Sequence, residues 1–187
     1  YVLGNQTSDA ETKKCANSAK GQHIHLILNN QPYSAHYESE FNKELGEGHY
    51  VALAFLSRSY HMSIKQPEAY VIRQFSVGNP TEEAPTFDET AQHLFYSRPK
   101  GEYVGEDTKK IMLDFYLVNT QIGTEGNKVR ATINGTEFII DKWVPYFVEG
   151  LPMGENTFKI ELIDSDGNIV PGPFNTEERT ITLSDLN

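Results

Sequence analysis

Histidines are the residues of this sequence with the clearest potential for chemistry, because a neutral imidazole nitrogen is a good ligand for zinc and copper. The 187-residue chain has six of them. Three lie in one short stretch, GQHIHLILNNQPYSAHY at positions 21–37, as His23, His25 and His36. Either these three imidazoles form a metal site, or they are ordinary polar residues on the surface of a sheet.

The stretch 21–37 has the pattern of a β-hairpin. An Asn-Asn pair at positions 29 and 30 separates two alternating segments, and asparagine tolerates the positive φ of a two-residue turn. With this pair as the turn, residue 28 pairs with 31, 26 with 33, 24 with 35 and 23 with 36. One apolar face results, and it predicts the core side. Its residues are Ile24, Leu26, Leu28, Tyr33 and Ala35.

The same register predicts that the three histidines lie on the opposite, outward face. His23 is placed directly across from His36, with Cβ atoms about 4.5–5.5 Å apart, and His25 is the diagonal neighbour of His36. Outward histidines on a strand are also common as solvated polar residues, so the pattern leaves both interpretations open.

Two more histidines flank the next predicted strand. His61 lies in the loop SRSYHMS after that strand, and loops at the ends of a sandwich often carry binding sites. We therefore predict His61 as a further ligand. His49 precedes the strand and has the parity of its apolar residues, which predicts that it caps the core, although it remains a candidate ligand. His93 lies near the predicted linker.

The whole chain has the pattern of an all-β protein. Long helical periodicity is absent, and short runs rich in Val, Ile, Phe and Tyr alternate with Gly, Pro, Asn and Asp clusters. We predict two tandem Ig-like β-sandwich domains. The predicted strands are His23–Leu28, Tyr33–Tyr37, Tyr50–Leu56, Tyr70–Val77, Lys110–Val118, Lys128–Ile133, Phe138–Lys142, Phe158–Ile163 and Arg179–Leu183.

A segment rich in proline and acidic residues, GNPTEEAPTFDET at 78–90, predicts a linker. We place a His-bearing domain at 1–78, the linker at 79–95 and a second, acidic domain at 96–187. The formal net charge of −10 lies entirely after residue 78, where nine Lys/Arg face nineteen Asp/Glu, while residues 1–78 carry seven of each. Such acidity argues against a nucleic-acid partner, because no basic phosphate-binding face is supplied.

The two halves look like copies of one another. HLILNNQPYSA, from His25, lies over RATINGTEFII, from Arg130. The three hairpin histidines thereby fall on Lys128, Arg130 and Asp141, of which the first and last predict a cross-strand ion pair. Imidazoles in one copy replace ordinary surface charges in the other, which favours a ligand role.

Copy two also has a segment, roughly 98–121, for which copy one has no counterpart before Leu3. We therefore expect the first domain as given to lack one or two N-terminal strands. These strands would come from a longer precursor or from another segment.

Motifs of catalysis and export are absent from the sequence. It contains no Gly-x-Ser-x-Gly, no P-loop and no His-Glu-x-x-His, so we predict that the protein is not an enzyme. No run approaches the length of a transmembrane segment, and no signal peptide is present. Cys15 is the only cysteine and predicts an isolated thiol in a loop.

The first half resembles an uncharacterised bacterial family, of the Bacteroidetes type, of exported His-containing Ig-like domains. GQHIHLIL matches its His-x-His leading into an apolar strand, the Gly48-His49 step opens another strand, and His61 lies in the following loop. His36 is not part of that pattern. The resemblance implies a location in the periplasm or on the outer-membrane surface, with a lipid anchor upstream of the given sequence, but it implies no activity.

Two functions follow as hypotheses. The first is a cell-envelope protein that binds copper or zinc through His23, His25 and His61, with His36 and His49 as further candidate ligands. The second is a non-catalytic structural or interaction subunit, or a scaffold, of an envelope or outer-membrane assembly with a protein partner.

Overall fold

The computed structural model describes residues 1–13, 17–84 and 86–186. The chain folds into two compact units, Tyr1–Glu89 and Thr90–Asn187. In the described residues the regular elements are strands and three short 3₁₀ turns, at Ala10–Thr12, Pro67–Ala69 and Gly105–Lys109. The predicted all-β fold is confirmed. Cys15 lies outside the described residues.

Unit 1 contains one antiparallel sheet of four strands. The strands are β1 (His23–Leu28), β2 (Ser34–His36), β3 (Gly48–Ser57) and β4 (Tyr70–Val77). Their spatial order is β2-β1-β3-β4, so that β1 and β3 are the central strands. All four positions agree with predicted strands, because alternation and Gly/Asn punctuation are local signals.

Unit 2 is a sandwich of two sheets around one core. Its strands are β5 (His93–Arg98), β6 (Glu102–Val104), β7 (Ile111–Val118), β8 (Lys128–Ile133), β9 (Thr136–Ile140), β10 (Tyr146–Val148), β11 (Gly154–Ile163) and β12 (Thr176–Ser184). One sheet has the order β10-β7-β5 and the other the order β6-β12-β11-β8-β9. Buried side chains from both sheets, such as Phe115 and Phe158, form one continuous hydrophobic core.

Three strands of unit 2 were not predicted, namely β5, β6 and β10. Strand β5 begins at His93, inside the segment 79–95 that the sequence predicts as a linker, and all six of its residues are buried. A strand that is covered on both faces has no period-two alternation, so periodicity could not reveal it. The second unit begins at Thr90, six residues before the predicted start of the second domain at residue 96.

The hairpin turns of the two units repeat the same hydrogen-bonded arrangement. In unit 1, Asn29 has φ 49°, its N–H donates to Val51 O (2.9 Å), and its Oδ1 accepts from Val51 N (2.7 Å). In unit 2, Asn134 has φ 46° and makes the same two bonds with Thr157 (3.0 and 2.9 Å). The internal repeat predicted from the sequence therefore extends to individual side chains.

Replacing Asn29 should separate the contribution of its side-chain hydrogen bonds from that of its backbone conformation. Asn29→Ala removes the side-chain bonds to Val51 N and His49 O and leaves a non-glycine residue at positive φ, so we expect the free energy of unfolding to fall by about 2–3 kcal/mol. Asn29→Gly should cost about 1 kcal/mol less, because glycine tolerates this φ. Urea denaturation measures both. Equal losses would contradict a backbone contribution.

The two faces of the unit 1 sheet are covered unequally. Val51, Leu53 and Phe55 of β3 are at most 1% exposed, whereas Val71 and Phe75 of β4, on the opposite face, are 47% and 38% exposed. The prediction that Ile24, Leu26 and Leu28 face the core is wrong, because these residues lie on the partly exposed face. The bulkier apolar side chains of β3 lie on the other face, beside the histidines, and that face is buried.

The corresponding face of unit 2 is covered. Val129, Ala131 and Ile133 of β8 align with Ile24, Leu26 and Leu28, and they are 0–8% exposed in the core between the two sheets. The two copies therefore bury opposite faces of the equivalent strand.

Among the residues that the structure describes, no helix is long and apolar enough to cross a membrane.

Candidate metal centre

His23 and His25 are fully buried on the inner face of β1. His25 pairs with Ala35 of β2 on one side and with Phe55 of β3 on the other, and His23 pairs with Ser57. The prediction that these two histidines lie on an outward face is therefore wrong. Burial of an imidazole is costly unless its nitrogens have partners, so contacts within the site must satisfy them.

His36 does not join this pair, because the hairpin register differs by one residue from the predicted one. The turn closes as expected, with Gln31 N donating to Leu28 O (2.9 Å), but Ile24 then pairs with His36 rather than with residue 35. Proline has no N–H for the ladder, and an extra residue is taken up around Pro32. His36 thus lies on the same face as Ile24, opposite to that of His23.

His36 has its own contacts outside the cluster of His23 and His25. Its ring stacks on Phe41 with centroids 3.6 Å apart, and its Nε2 lies 2.9 Å from Ser34 Oγ. Partial burial, together with the charge of Lys43, lowers the pKa of His36 below its usual range.

His61 reaches the buried pair from the loop after β3. It has φ 67°, in the left-handed region that favours glycine, and its N–H donates to Arg58 O (2.9 Å). The equivalent loop of unit 2 has the same kind of backbone hydrogen bond, from Gly167 N to Asp164 O (3.2 Å), and Gly167 has φ 86°. The structural counterpart of His61 is therefore a glycine, and a strained histidine in its place requires a reason.

Three imidazole nitrogens converge at this point. His23 Nε2 lies 2.9 Å from His25 Nε2 and 3.0 Å from His61 Nδ1, and one nitrogen from each of the three rings lies within 4.8 Å of the others. For a tetrahedral ion with bonds of about 2.0–2.1 Å to nitrogen, two ligand atoms are separated by about 3.3 Å. The three nitrogens could hold one ion after shifts of the rings that bring their separations to about 3.3 Å.

The protonation of His23 follows from its second partner. Its Nδ1 lies 2.8 Å from Gly21 O, and a carbonyl oxygen can only accept, so Nδ1 donates and, in the neutral ring, Nε2 carries the lone pair. A histidine that ligates a metal through one nitrogen commonly donates from the other to a carbonyl. Gly21 has φ 85°, and a Cβ there would overlap the carbonyl oxygens of Gly4 and Asn5, so glycine is required to place this acceptor.

Aromatic side chains pack against the two buried histidines. The ring of Tyr33 stacks on that of His25 with centroids 3.5 Å apart and an interplanar angle of 9°, and the Phe55 ring packs against His25 edge-on at 5.2 Å. The ring of Tyr37 lies 5.0 Å from that of His23. Tyr33 is a residue of the site that sequence reasoning missed, because the predicted register placed it on the opposite face from the histidines.

The remaining candidates lie elsewhere. His49 is at the other end of β3, where its Nδ1 lies 2.7 Å from Ser76 Oγ and its Nε2 2.8 Å from Glu82 O. His93 belongs to unit 2 and is buried in β5. Of the predicted set His23, His25, His61, His36 and His49, the structure brings the first three together and places the last two elsewhere.

In unit 2 the equivalent positions carry charges, as the alignment predicts. Arg130 lies on the face of β8 away from the core and forms an ion pair with Glu161 of β11, with Nε to Oε2 at 2.8 Å. Lys128 donates from Nζ to Gly126 O (3.2 Å) in place of the predicted pairing with Asp141. The imidazole cluster is thus a feature of unit 1, built on a scaffold that both units share.

Comparisons with known proteins identify no family for this chain. No family model matches it, and no curated protein matches. Fibronectin(III)-like modules of Clostridium thermocellum CbhA are 11% identical and similar to it with a TM-score of 0.38, over 50% of this chain and 99% of that one. The family resemblance of the His pattern stays a prediction.

Two Bacteroides structures are similar over most of the chain. The extracellular domain of a hybrid two-component system from B. thetaiotaomicron is 12% identical, with a TM-score of 0.36 over 90% of this chain and 31% of that one. The protein SGBP-B of the Bacteroides ovatus mixed-linkage glucan utilization locus is 10% identical, with a TM-score of 0.23 over 88% and 60% of the two chains.

Proposed function

We propose that unit 1 binds one copper or zinc ion through His23 Nε2, His25 Nε2 and His61 Nδ1. The observation that carries this proposal is the convergence of three imidazole nitrogens within 4.8 Å, two of them on fully buried side chains. Imidazole ligands suit zinc and copper, whereas magnesium and calcium prefer oxygen.

The backbone at His61 supports a ligand role over simple packing. A non-glycine residue in the left-handed region costs about 1–2 kcal/mol, and the second copy avoids that cost with Gly167. Without a metal, only the contacts of His61 with His23 and Tyr33 offset the strain. A histidine whose Nδ1 completes a metal site offsets it further, because the binding energy of the metal stabilises the folded state.

Titration calorimetry with Cu(II) and Zn(II) tests the proposal. The wild-type protein should bind one ion per chain, and the double variant His23→Ala/His25→Ala should lose at least about two orders of magnitude in affinity, more than the 10–100-fold typical of an outer-shell partner. His36→Ala and His49→Ala are matched controls, because both remove a histidine outside the triad, and they should bind as the wild type does. Equal weak binding by wild type and double variant would overturn the proposal.

We further propose that the protein is exported to the cell envelope. The support is the resemblance of its His pattern to an exported bacterial family. Fractionation of native cells would test the location, and recovery of the protein in the cytosol would contradict it.

A second candidate function, an interaction subunit, is favoured by the exposed apolar face of unit 1. Val71 and Phe75 are 47% and 38% exposed there, while the equivalent face in unit 2 is covered by an apolar sheet that contributes Leu113 and Phe115. The partner that fits is accordingly a protein presenting the apolar face of a β-sheet.

A photo-cross-linking residue in place of Val71 tests this candidate in native membranes. Cross-linked peptides of one partner that map to a strand are expected. Recovery of a solitary monomer without cross-links would contradict it, whatever the outcome of the metal titration.

A further inference from the structure

We propose that Tyr33 is the fourth ligand of the metal site, through its phenolic oxygen. This inference rests on the proposed metal-binding function. It makes the site a closed set of three nitrogens and one oxygen rather than a three-histidine site with an open position.

The position of the phenolic oxygen carries the inference. Tyr33 OH lies 3.3 Å from His61 Nδ1, which matches the distance of about 3.3 Å between two ligand atoms of a tetrahedral ion. His61 Nδ1 is in turn 3.0 Å from His23 Nε2. The oxygen is therefore next to one nitrogen of the triad, which in turn is next to a second.

The ring of Tyr33 is held in a fixed place beside the site. It is 4% exposed and stacks on the ring of His25 at a centroid distance of 3.5 Å. Little side-chain freedom is then lost when the oxygen binds a metal, which favours affinity. The hairpin irregularity around Pro32 is what turns Tyr33 to the face of the histidines, since the regular register would place it on the other face.

Tyr37 provides an internal contrast. Its ring also lies beside the site, 5.0 Å from that of His23, but its OH is 2.7 Å from Ser18 Oγ. Each tyrosine ring thus lies within 5.0 Å of a buried histidine ring, but the two oxygens have different partners. The oxygen of Tyr33 contacts a nitrogen of the triad, whereas the oxygen of Tyr37 contacts Ser18.

A phenolate ligand would change the chemistry of the site. When the oxygen bonds the metal, the phenol proton passes to solvent and the ligand set gains one negative charge. An anionic oxygen favours Cu(II) over the softer Cu(I). It also gives Cu(II) a phenolate-to-copper charge-transfer absorption in the visible region, which histidine ligands alone do not produce.

The test compares wild type, Tyr33→Phe and Tyr37→Phe, each full-length and loaded with Cu(II). We expect the charge-transfer absorption in wild type and in Tyr37→Phe and its loss in Tyr33→Phe. Calorimetry should show Tyr33→Phe binding Cu(II) at least about tenfold more weakly than Tyr37→Phe, since loss of an outer-shell partner already costs 10–100-fold. Phenylalanine retains the stacking on His25, so circular dichroism should show a folded protein.

The outcomes separate this inference from the proposed function. Wild type that binds Cu(II) without the absorption, or Tyr33→Phe that binds as tightly as wild type, overturns Tyr33 as a ligand and leaves the histidine site standing. Failure of wild type to bind any metal overturns both. Should Tyr33→Phe fail to fold, the wild-type spectrum decides, because absence of the absorption overturns the inference and its presence in both wild type and Tyr37→Phe supports it.

Discussion

His61→Gly is expected to abolish tight metal binding while the free energy of unfolding of the metal-free protein stays within about 1 kcal/mol of wild type. The variant loses one of three nitrogen ligands, so the affinity for Cu(II) or Zn(II) should fall at least about 100-fold. It also relieves a left-handed backbone conformation that costs a non-glycine residue about 1–2 kcal/mol. That relief offsets the lost contact between His61 Nδ1 and His23 Nε2.

His61→Ala is the matched control for this variant. Alanine removes the same ligand but keeps a Cβ at φ 67°, so its affinity should be as low as that of His61→Gly. Its free energy of unfolding should be about 1 kcal/mol lower than that of the glycine variant. Calorimetry and urea denaturation in the presence of a chelator measure the two quantities. Retained affinity in His61→Gly would contradict the assignment of His61 as a ligand, and equal stability of the two variants would contradict the strain.

Strand positions were predictable because their signals are local. The bounds of β1, β4 and β8 agree with the predicted strands residue for residue. Each is an alternating segment with turn residues on at least one side, and neither signal depends on the rest of the fold.

The covered face of β1 was not predictable in the same way. Alternation says which residues share a face, but the neighbouring strands decide which face is buried. The repeat itself was misleading, because Val129 and Ala131 are core residues in unit 2 while their counterparts Ile24 and Leu26 lie on the partly exposed face. The pairing of His25 with Phe55 of β3 indicates which face is buried, because Phe55 is a large apolar residue. That pairing can be predicted only if the order of the strands in the sheet is known.

The composition of the site was predictable only in part. His23 and His25 share a face by parity alone, and His61 is close to them because the loop after β3 returns to the end of β1 that carries His23. His36 and Tyr33 exchange roles relative to the prediction, because one extra residue around Pro32 moves each to the opposite face. A one-residue irregularity just before a three-residue strand has no periodicity signal.

Metal binding should also make the protein markedly more stable. At a free metal concentration of about 100 times Kd, the free energy of unfolding of wild type should rise by about 2.7 kcal/mol, because the ion binds the folded state and the unfolded chain has no preformed site. The triad is assembled from β1 and the loop after β3. His25 and His61 are 36 residues apart in the sequence, so unfolding must disperse the triad. Urea denaturation with Zn(II) and with chelator measures the difference.

The controls distinguish this effect from nonspecific binding. His36→Ala and His49→Ala should retain the full gain, since each histidine is engaged outside the triad, with Ser34 and Ser76 respectively. His23→Ala/His25→Ala should show no gain, although its metal-free form is itself less stable, because two buried side chains are lost. The comparison is therefore made within each variant, with metal against chelator. A gain of similar size in the double variant would mean that the stabilising ion binds elsewhere, and the site would then have no energetic role in the fold.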